Sequence, residues 1–284
     1  MVRKALLIGI NYIGTEYELN GCINDAKNLR SFLTDNCLFK NENIKMLSDE
    51  DSLNLPNRSN MVNGIKWLVS NNLPGDTLFF LYSGHGGYIR DRNLDESDGR
   101  DETIIPLDFE TSEQITDDWL FTNMVSKVPK GVNLNCFFDS CHSGTAIDLK
   151  YNYKSNCIFK KGKLTENVIT YKNDEWSDSF NFSIERTKDV VGNICLFSGC
   201  QDKETSADAF INNKGQGAFT FCLLETLKQN LVKMDDGTFR YRNGVLKLRN
   251  ILKEINGRLD INGYEQNTQL SLSKKENFET MLNF

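Results

Sequence analysis

Two runs constrain the fold of this chain more than any other feature in it. Thr77–Tyr82 (TLFFLY) lies between Gly75-Asp76 and Ser83-Gly84. Asn133–Phe138 (NLNCFF) lies between Gly131 and Asp139-Ser140. Short, continuous apolar runs bounded by turn residues read as strands covered on both faces, as in parallel sheets. Between them, Trp119–Val128 reads as a helix. Strand, helix, strand at this spacing implies a right-handed parallel crossover. The two strands then point the same way, and their C-terminal ends lie near each other.

The rest of the chain repeats this alternation. Lys4–Asn11 reads as a buried strand. Cys22–Leu33 follows as a helix with Cys22, Ala26, Leu29 and Leu33 on one face. Asn43–Leu47 is a second strand, and Ser59–Val69 a helix with Met61, Ile65, Leu68 and Val69 inward and Ser59 or Asn60 as its cap. Residues 150–190 are polar, rich in Lys and Asn and weakly periodic, and read as a surface excursion. Beyond them come a strand at Asn193–Phe197, helices at Ala218–Leu227 and Val245–Leu259, and a last strand at Thr268–Leu272. The expected class is α/β, a sheet with helices on both faces.

Composition excludes several kinds of protein. At 39% hydrophobic and 11% aromatic residues, the 284-residue chain can build a sizeable core. Its net charge of −6 argues against a nucleic-acid-coating surface and suits cationic partners, either metal ions or Lys- and Arg-bearing peptides. No apolar stretch approaches the ~18 residues of a membrane helix. The run Ala5–Ile10 is short for a signal sequence, so the cytoplasm is the expected location and no membrane partner is expected. There the 8 cysteines stay reduced. With no CxxC pair and only 2 histidines, structural zinc is unsupported. Cys136, Cys195 and Cys222 sit in apolar runs and read as core residues.

In open α/β sheets, chemistry collects at the C-terminal strand ends. Two polar clusters fall there: Tyr82-Ser83-Gly84-His85-Gly86-Gly87 and Asp139-Ser140-Cys141-His142-Ser143-Gly144. A histidine and a cysteine far apart in sequence are thereby carried to neighbouring strand tips, as a cysteine nucleophile with a separate base requires. His85 is the better base. His142 directly follows Cys141, and adjacent side chains in an extended segment diverge, so it reads as a loop-shaping residue. The backbone N–H of Gly86, beside His85, could stabilise an oxyanion.

On these residues the chain resembles the type I metacaspases, in the caspase-like clan of cysteine proteases. The resemblance runs through KALLIGINY at residues 4–12, LNGCINDA at 19–26, YSGHGG at 82–87, IPLDF at 105–109, DSCHSG at 139–144 and TSADA at 205–209. It implies a caspase-like three-layer α/β/α sandwich with a mostly parallel central sheet. It also implies a calcium-activated peptidase that cuts protein or peptide substrates after Arg or Lys. Carried onto this chain, His85 is the general acid/base and Cys141 the nucleophile, with the N–H groups of Gly86 and Cys141 holding the oxyanion. Cys22, Asp25, Ser83 and Asp139 would line the pocket for the basic side chain, and Asp101, Asp117, Asp118 and Asp148 would bind Ca2+. One catalytic domain spans 1–284: a part carrying the dyad (1–149), the excursion (150–190) and a smaller part (191–284). A monomer is expected.

The residue types agree in part. Two carboxylates in a cleft favour a cationic side chain and repel an acidic one. Asp25 could equally complement a helix dipole, whereas Asp139, at a buried strand end, needs a partner. Asp91–Glu102 (DRNLDESDGRDE) has near-EF-hand spacing, but Glu96 stands where the loop needs Gly, so a solvated acidic hairpin is expected. Asp117-Asp118 could cap the helix beginning near Trp119 or bind a metal. Residue types alone leave those two readings even, and the resemblance tips them toward the metal. Lys150, Lys154, Lys160, Lys161, Lys163, Arg186 and Lys188 offer sites for self-cleavage within the excursion. Two other readings compete: a caspase-like calcium-binding or protein-quality-control scaffold that does not cleave, and a thiol redox protein using Cys141.

Overall fold

A computed structural model describes residues 1–284 apart from 91–99, 141–145, 156, 161–162, 168–179, 185–189, 200–207, 212–213, 236–238, 242–246, 276, 278–279 and 281. The first half contains β1 (Arg3–Gly9), α1 (Cys22–Asn36), β2 (Ile44–Ser48), α2 (Arg58–Val69), β3 (Thr77–Ser83), β4 (Gly86–Arg90), β5 (Arg100–Ile104), β6 (Ile115–Thr116), α3 (Asp117–Asn123) and β7 (Asn133–Asp139). Then come β8 (Tyr151–Ser155), β9 (Cys157–Lys160), β10 (Lys163–Asn167), β11 (Phe180–Ile184), β12 (Asn193–Ser198), β13 (Asp208–Ile211) and β14 (Lys214–Gly217). The chain continues with α4 (Ala218–Asn230), β15 (Leu231–Lys233), β16 (Phe239–Tyr241), α5 (Leu248–Ile261) and β17 (Gln269–Leu272).

The central sheet has 8 strands in the order β11-β8-β17-β12-β7-β3-β1-β2. The pairs β2–β1, β1–β3, β3–β7 and β7–β12 are all parallel, and β17, β8 and β11 extend one side by antiparallel pairing. Alternate residues of each inner strand feed opposite layers. Ala5, Leu7, Phe79, Leu81, Phe137 and Phe197 pack with the apolar faces of α1, α4 and α5. Leu6, Ile8, Phe80, Phe138 and Leu196 pack with those of α2 and α3. The three-layer, mostly parallel caspase-like sandwich expected from the sequence is therefore the fold observed.

Several local expectations are corrected. Residues 150–190 are not merely an excursion, because β8 and β11 from that stretch join the central sheet. Strands of mixed polarity such as these lack the apolar run that marks the parallel centre of the sheet. The cap of α2 is Asn57, whose side chain accepts the N–H of Asn60 at 2.8 Å, rather than Ser59 or Asn60. The helix expected over Trp119–Val128 starts at Asp117, ends at Asn123 and continues only as a 3-10 turn at Val125–Lys127. Of the acidic segment Asp91–Glu102, residues 91–99 lie outside the described residues. Its end is not solvated, since Asp101 and Glu102 are buried in β5, which pairs with β4 and β6.

Candidate active site

The parallel register aligns the strand ends that matter. Gly9 of β1 pairs with Ser83 of β3, and Ser83 pairs with Asp139 of β7. His85 lies two residues beyond Ser83 and Cys141 two beyond Asp139 in the chain. Cys141 and His142 lie outside the described residues. Gly86, the other expected oxyanion donor, opens β4 opposite Ile104.

His85 is partly buried, and its Nε2 lies 2.8 Å from the carbonyl oxygen of Tyr17. A carbonyl only accepts, so Nε2 carries the proton and the lone pair of a neutral ring is on Nδ1. The Tyr12 ring packs against the imidazole at 4.8 Å between centroids. A backbone carbonyl thus orients the imidazole, a role that residue types could not reveal.

Asp25, Ser83 and Asp139 converge as expected, and all are buried. Asp25 sits in the first turn of α1 and accepts a hydrogen bond from Ser83 Oγ at 2.8 Å. Its two oxygens also receive the N–H of Gly217 at 3.0 and 3.1 Å. Asp139 accepts the N–H of Thr220 at 2.9 Å. Both carboxylates therefore face the N-terminus of α4, where unpaired N–H groups and the helix dipole favour negative charge. A side chain on Gly217 would run into both: its Cβ would lie 2.6 Å from Asp139 Cγ and 2.7 Å from Asp25 Oδ2. Cys22, the first residue of α1, is buried and precedes Asp25 by three residues in the same helix.

A second acidic cluster lies at β5 and the start of α3. Carboxylate oxygens of Asp101, Asp117 and Asp118 come within 4.8 Å of one another. Thr116, not either aspartate, caps α3 by accepting the N–H of Trp119 at 3.1 Å. Burial, the Asp148 charge and a side-chain hydrogen bond that the protonated Asp117 donates to Glu102 push the Asp117 carboxyl up to about 10. Asp148 is buried and takes a left-handed φ of 53°. Glu102 belongs to this group too, and its backbone N–H donates to Asp117 Oδ2 at 3.3 Å. Sequence reasoning missed it because a charge in an acidic run reads by default as solvated. All the donors are hard oxygens, with no sulfur or imidazole, and repulsion at Asp117 marks the site as short of positive charge. That chemistry fits calcium.

Cys37, Cys136, Cys195 and Cys222 are poor nucleophiles. Cys22, Cys37, Cys136, Cys195 and Cys222 are buried and form no disulfide. Burial raises the thiols of Cys37 and Cys136 and pushes those of Cys195 and Cys222 up to about 12. They stay protonated where a nucleophile must ionise.

The chain is similar to proteins of known family. A family model described as "Metacaspase, peptidase C14 domain" matches residues 3–150. Metacaspase-1 of Kluyveromyces lactis is 38% identical over 255 aligned positions, covering 80% of this chain and 59% of that protein. Metacaspase-1B of Aspergillus terreus is 36% identical over 298 positions, covering 95% of this chain and 75% of its own length. The crystal structure of a protein from Geobacter sulfurreducens superposes with a TM-score of 0.65 at 24% identity, over 99% of this chain and 97% of that one. That likeness speaks to the fold alone.

Proposed function

The chain belongs to the metacaspase family of cysteine peptidases, and from that premise we propose that it is a calcium-activated endopeptidase cutting after Arg or Lys with a Cys141–His85 dyad. The observation that carries this reading is the Ser83–Asp139 register pair. It ends two adjacent parallel strands level with each other, beside two buried carboxylates, and His85 and Cys141 each follow two residues later in the chain.

The chemistry follows from the residues. Nδ1 of His85 takes the Cys141 thiol proton as sulfur attacks the carbonyl carbon of the scissile bond. The oxyanion is held by the N–H groups of Gly86 and Cys141. The imidazolium returns its proton to the departing amine, leaving an acyl-enzyme, and His85 then draws a proton from the water that hydrolyses it. No acid is needed behind His85, because the Tyr17 carbonyl orients its ring. Asp25 and Asp139 attract the substrate cation, with Ser83 and Cys22 shaping the surroundings.

Asp101, Asp117, Asp118 and Asp148 would hold Ca2+, which supplies the charge this oxygen cluster lacks and orders the acidic segments around it. The cytoplasm is the location in this reading, as five buried cysteines among the described residues form no disulfide, which suits a reducing compartment. No described helix is long and apolar enough to cross a membrane.

The test is a fluorogenic peptide panel with Arg, Lys or Asp at P1, run with calcium or with excess chelator. Cleavage confined to Arg and Lys, lost in chelator and abolished by Cys141→Ala and His85→Ala, is the expected result. Cleavage after Asp, or cleavage surviving Cys141→Ala, sinks the reading. Mass spectrometry after incubation with calcium should show chain ends after Lys or Arg within 150–190, while an intact mass counts against self-cleavage.

A further inference from the structure

We propose that the hydroxyl groups of Tyr12 and Tyr82 are positioning groups for His85, clamping its backbone so that the imidazole stays aimed at Cys141. The proposal rests on the reading of His85 as the base. After Ser83 the chain leaves the central sheet. The His85 carbonyl accepts the Ile105 N–H at 3.3 Å, and two phenols complete the pairing of the His85 backbone. The His85 N–H donates to Tyr12 Oη at 3.2 Å, and Tyr82 Oη donates to the His85 carbonyl at 2.6 Å. The same oxygens hold Ile105, next to β5. Tyr12 Oη donates to the Ile105 carbonyl at 2.7 Å, and the Ile105 N–H donates to Tyr82 Oη at 3.0 Å.

The proton count closes. Each phenol has one proton. Tyr82 gives its proton to His85 and Tyr12 gives its own to Ile105, so the 3.2 Å contact between the two oxygens needs none. Both rings are almost fully buried, with exposures of 1% and 0%. Phenylalanine would fill the same space without the cost of burying a hydroxyl, so the hydroxyls need a purpose there.

Two backbone features are built around this clamp. A Cβ on Gly84 would sit 2.9 Å from Tyr82 Oη and 3.3 Å from Tyr12 Oη, so only glycine leaves the hydroxyls room. Tyr12 adopts a left-handed φ of 52°, uncommon for an aromatic residue. It is held there by Asp49, whose two oxygens accept the N–H groups of Asn11 and Ile13 at 2.9 Å each. Strain maintained in this way marks a position with a task. Here it lays the Tyr12 ring against the imidazole, and the same loop supplies the Tyr17 carbonyl to Nε2.

The experiment compares Tyr12→Phe, Tyr82→Phe, the double variant and His85→Ala on an Arg-P1 peptide. The expected result is a kcat loss of about 10- to 100-fold in each single variant, with KM within about twofold. The double variant should fall little further, because both hydroxyls act through one segment. The chain has only 2 histidines, so the His85 ring is separable by 15N NMR in a His142→Gln background. Its signals should show one tautomer in the parent and a mixture in the Phe variants. A purely structural role would lower Tm and leave tautomer and kcat alone, and that outcome overturns the proposal, as does a rise in KM at constant kcat. If Tyr82→Phe does not fold, Tyr12→Phe, which lies on a different element, decides on the same criteria. Activity retained by His85→Ala overturns the reading of His85 itself. Activity lost in His85→Ala but kept in both Phe variants overturns the clamp alone.

Discussion

At the scale of single residues, carboxylates do most of the distinguishing work. Asp76 fastens the start of β1 to the loop before β3, accepting the N–H groups of Val2 at 2.6 Å and Leu73 at 2.8 Å. Burial alone would raise this carboxyl, but the Leu73 and Val2 N–H groups, with Lys4 nearby, more than offset it and hold it below the usual range. A folded value below the unfolded one, near ~3.9, means the unfolded chain binds the proton more readily. The stability Asp76 contributes is therefore present above that pH and lost as pH falls through the lower folded value. Asp76→Asn should lower stability at pH 7 by about 1–3 kcal/mol and flatten the acid side of the Tm-versus-pH curve, as differential scanning calorimetry would show. Asp139→Asn tests charge at the strand end. A charge-assisted bond to a guanidinium contributes about 1.5–3 kcal/mol, so kcat/KM for an Arg-P1 peptide should fall about 10- to 100-fold. An unchanged value would remove Asp139 from substrate recognition. The meeting of Asp25, Ser83 and Asp139 could be anticipated, because each stands at an element end or in a matching motif. Glu102, the Tyr17 carbonyl and the two phenols could not, since their roles depend on neighbours that only the folded chain supplies.

At the scale of elements, α3 carries two of the ligands proposed for calcium. Its cap, Thr116, belongs to β6, and its first two residues are Asp117 and Asp118. Removing the cap with Thr116→Ala should cost about 0.5–2 kcal/mol. It should also raise the calcium concentration for half-maximal activity, measured by titrating peptide cleavage, because the fraying turn carries two of the expected ligands. The inner strands were legible because they are covered on both faces and leave continuous apolar runs. The β4–β5–β6 sheet was not, because glycines and charges interrupt its pattern. In β8 the adjacent residues Asn152 and Tyr153 are both buried, which leaves no alternation to read. The caps of α2 and α3 lie just before the apolar pattern begins, which periodicity alone cannot locate.

For the whole molecule, two tests concern assembly and calcium. Antiparallel strands β8 and β11 extend the sheet beyond β17, so that strand is not left as an open edge for a second copy. Light scattering after size-exclusion chromatography should give the mass of a single chain with or without calcium, and a dimer would show that another surface pairs. Excess chelator should suppress basic-P1 cleavage reversibly while far-UV circular dichroism stays nearly constant, because the acidic cluster lies outside both apolar cores. The alignment of Ser83 with Asp139 has a further consequence. A slip of one residue between β3 and β7 would displace one proposed dyad segment against the other by about 3.3 Å, enough to pull a hydrogen-bonded pair apart, and would turn every side chain of the slipped strand into the wrong layer. Turnover regained after denaturation therefore counts correctly threaded molecules, whereas compactness or helix content alone would also count misthreaded ones.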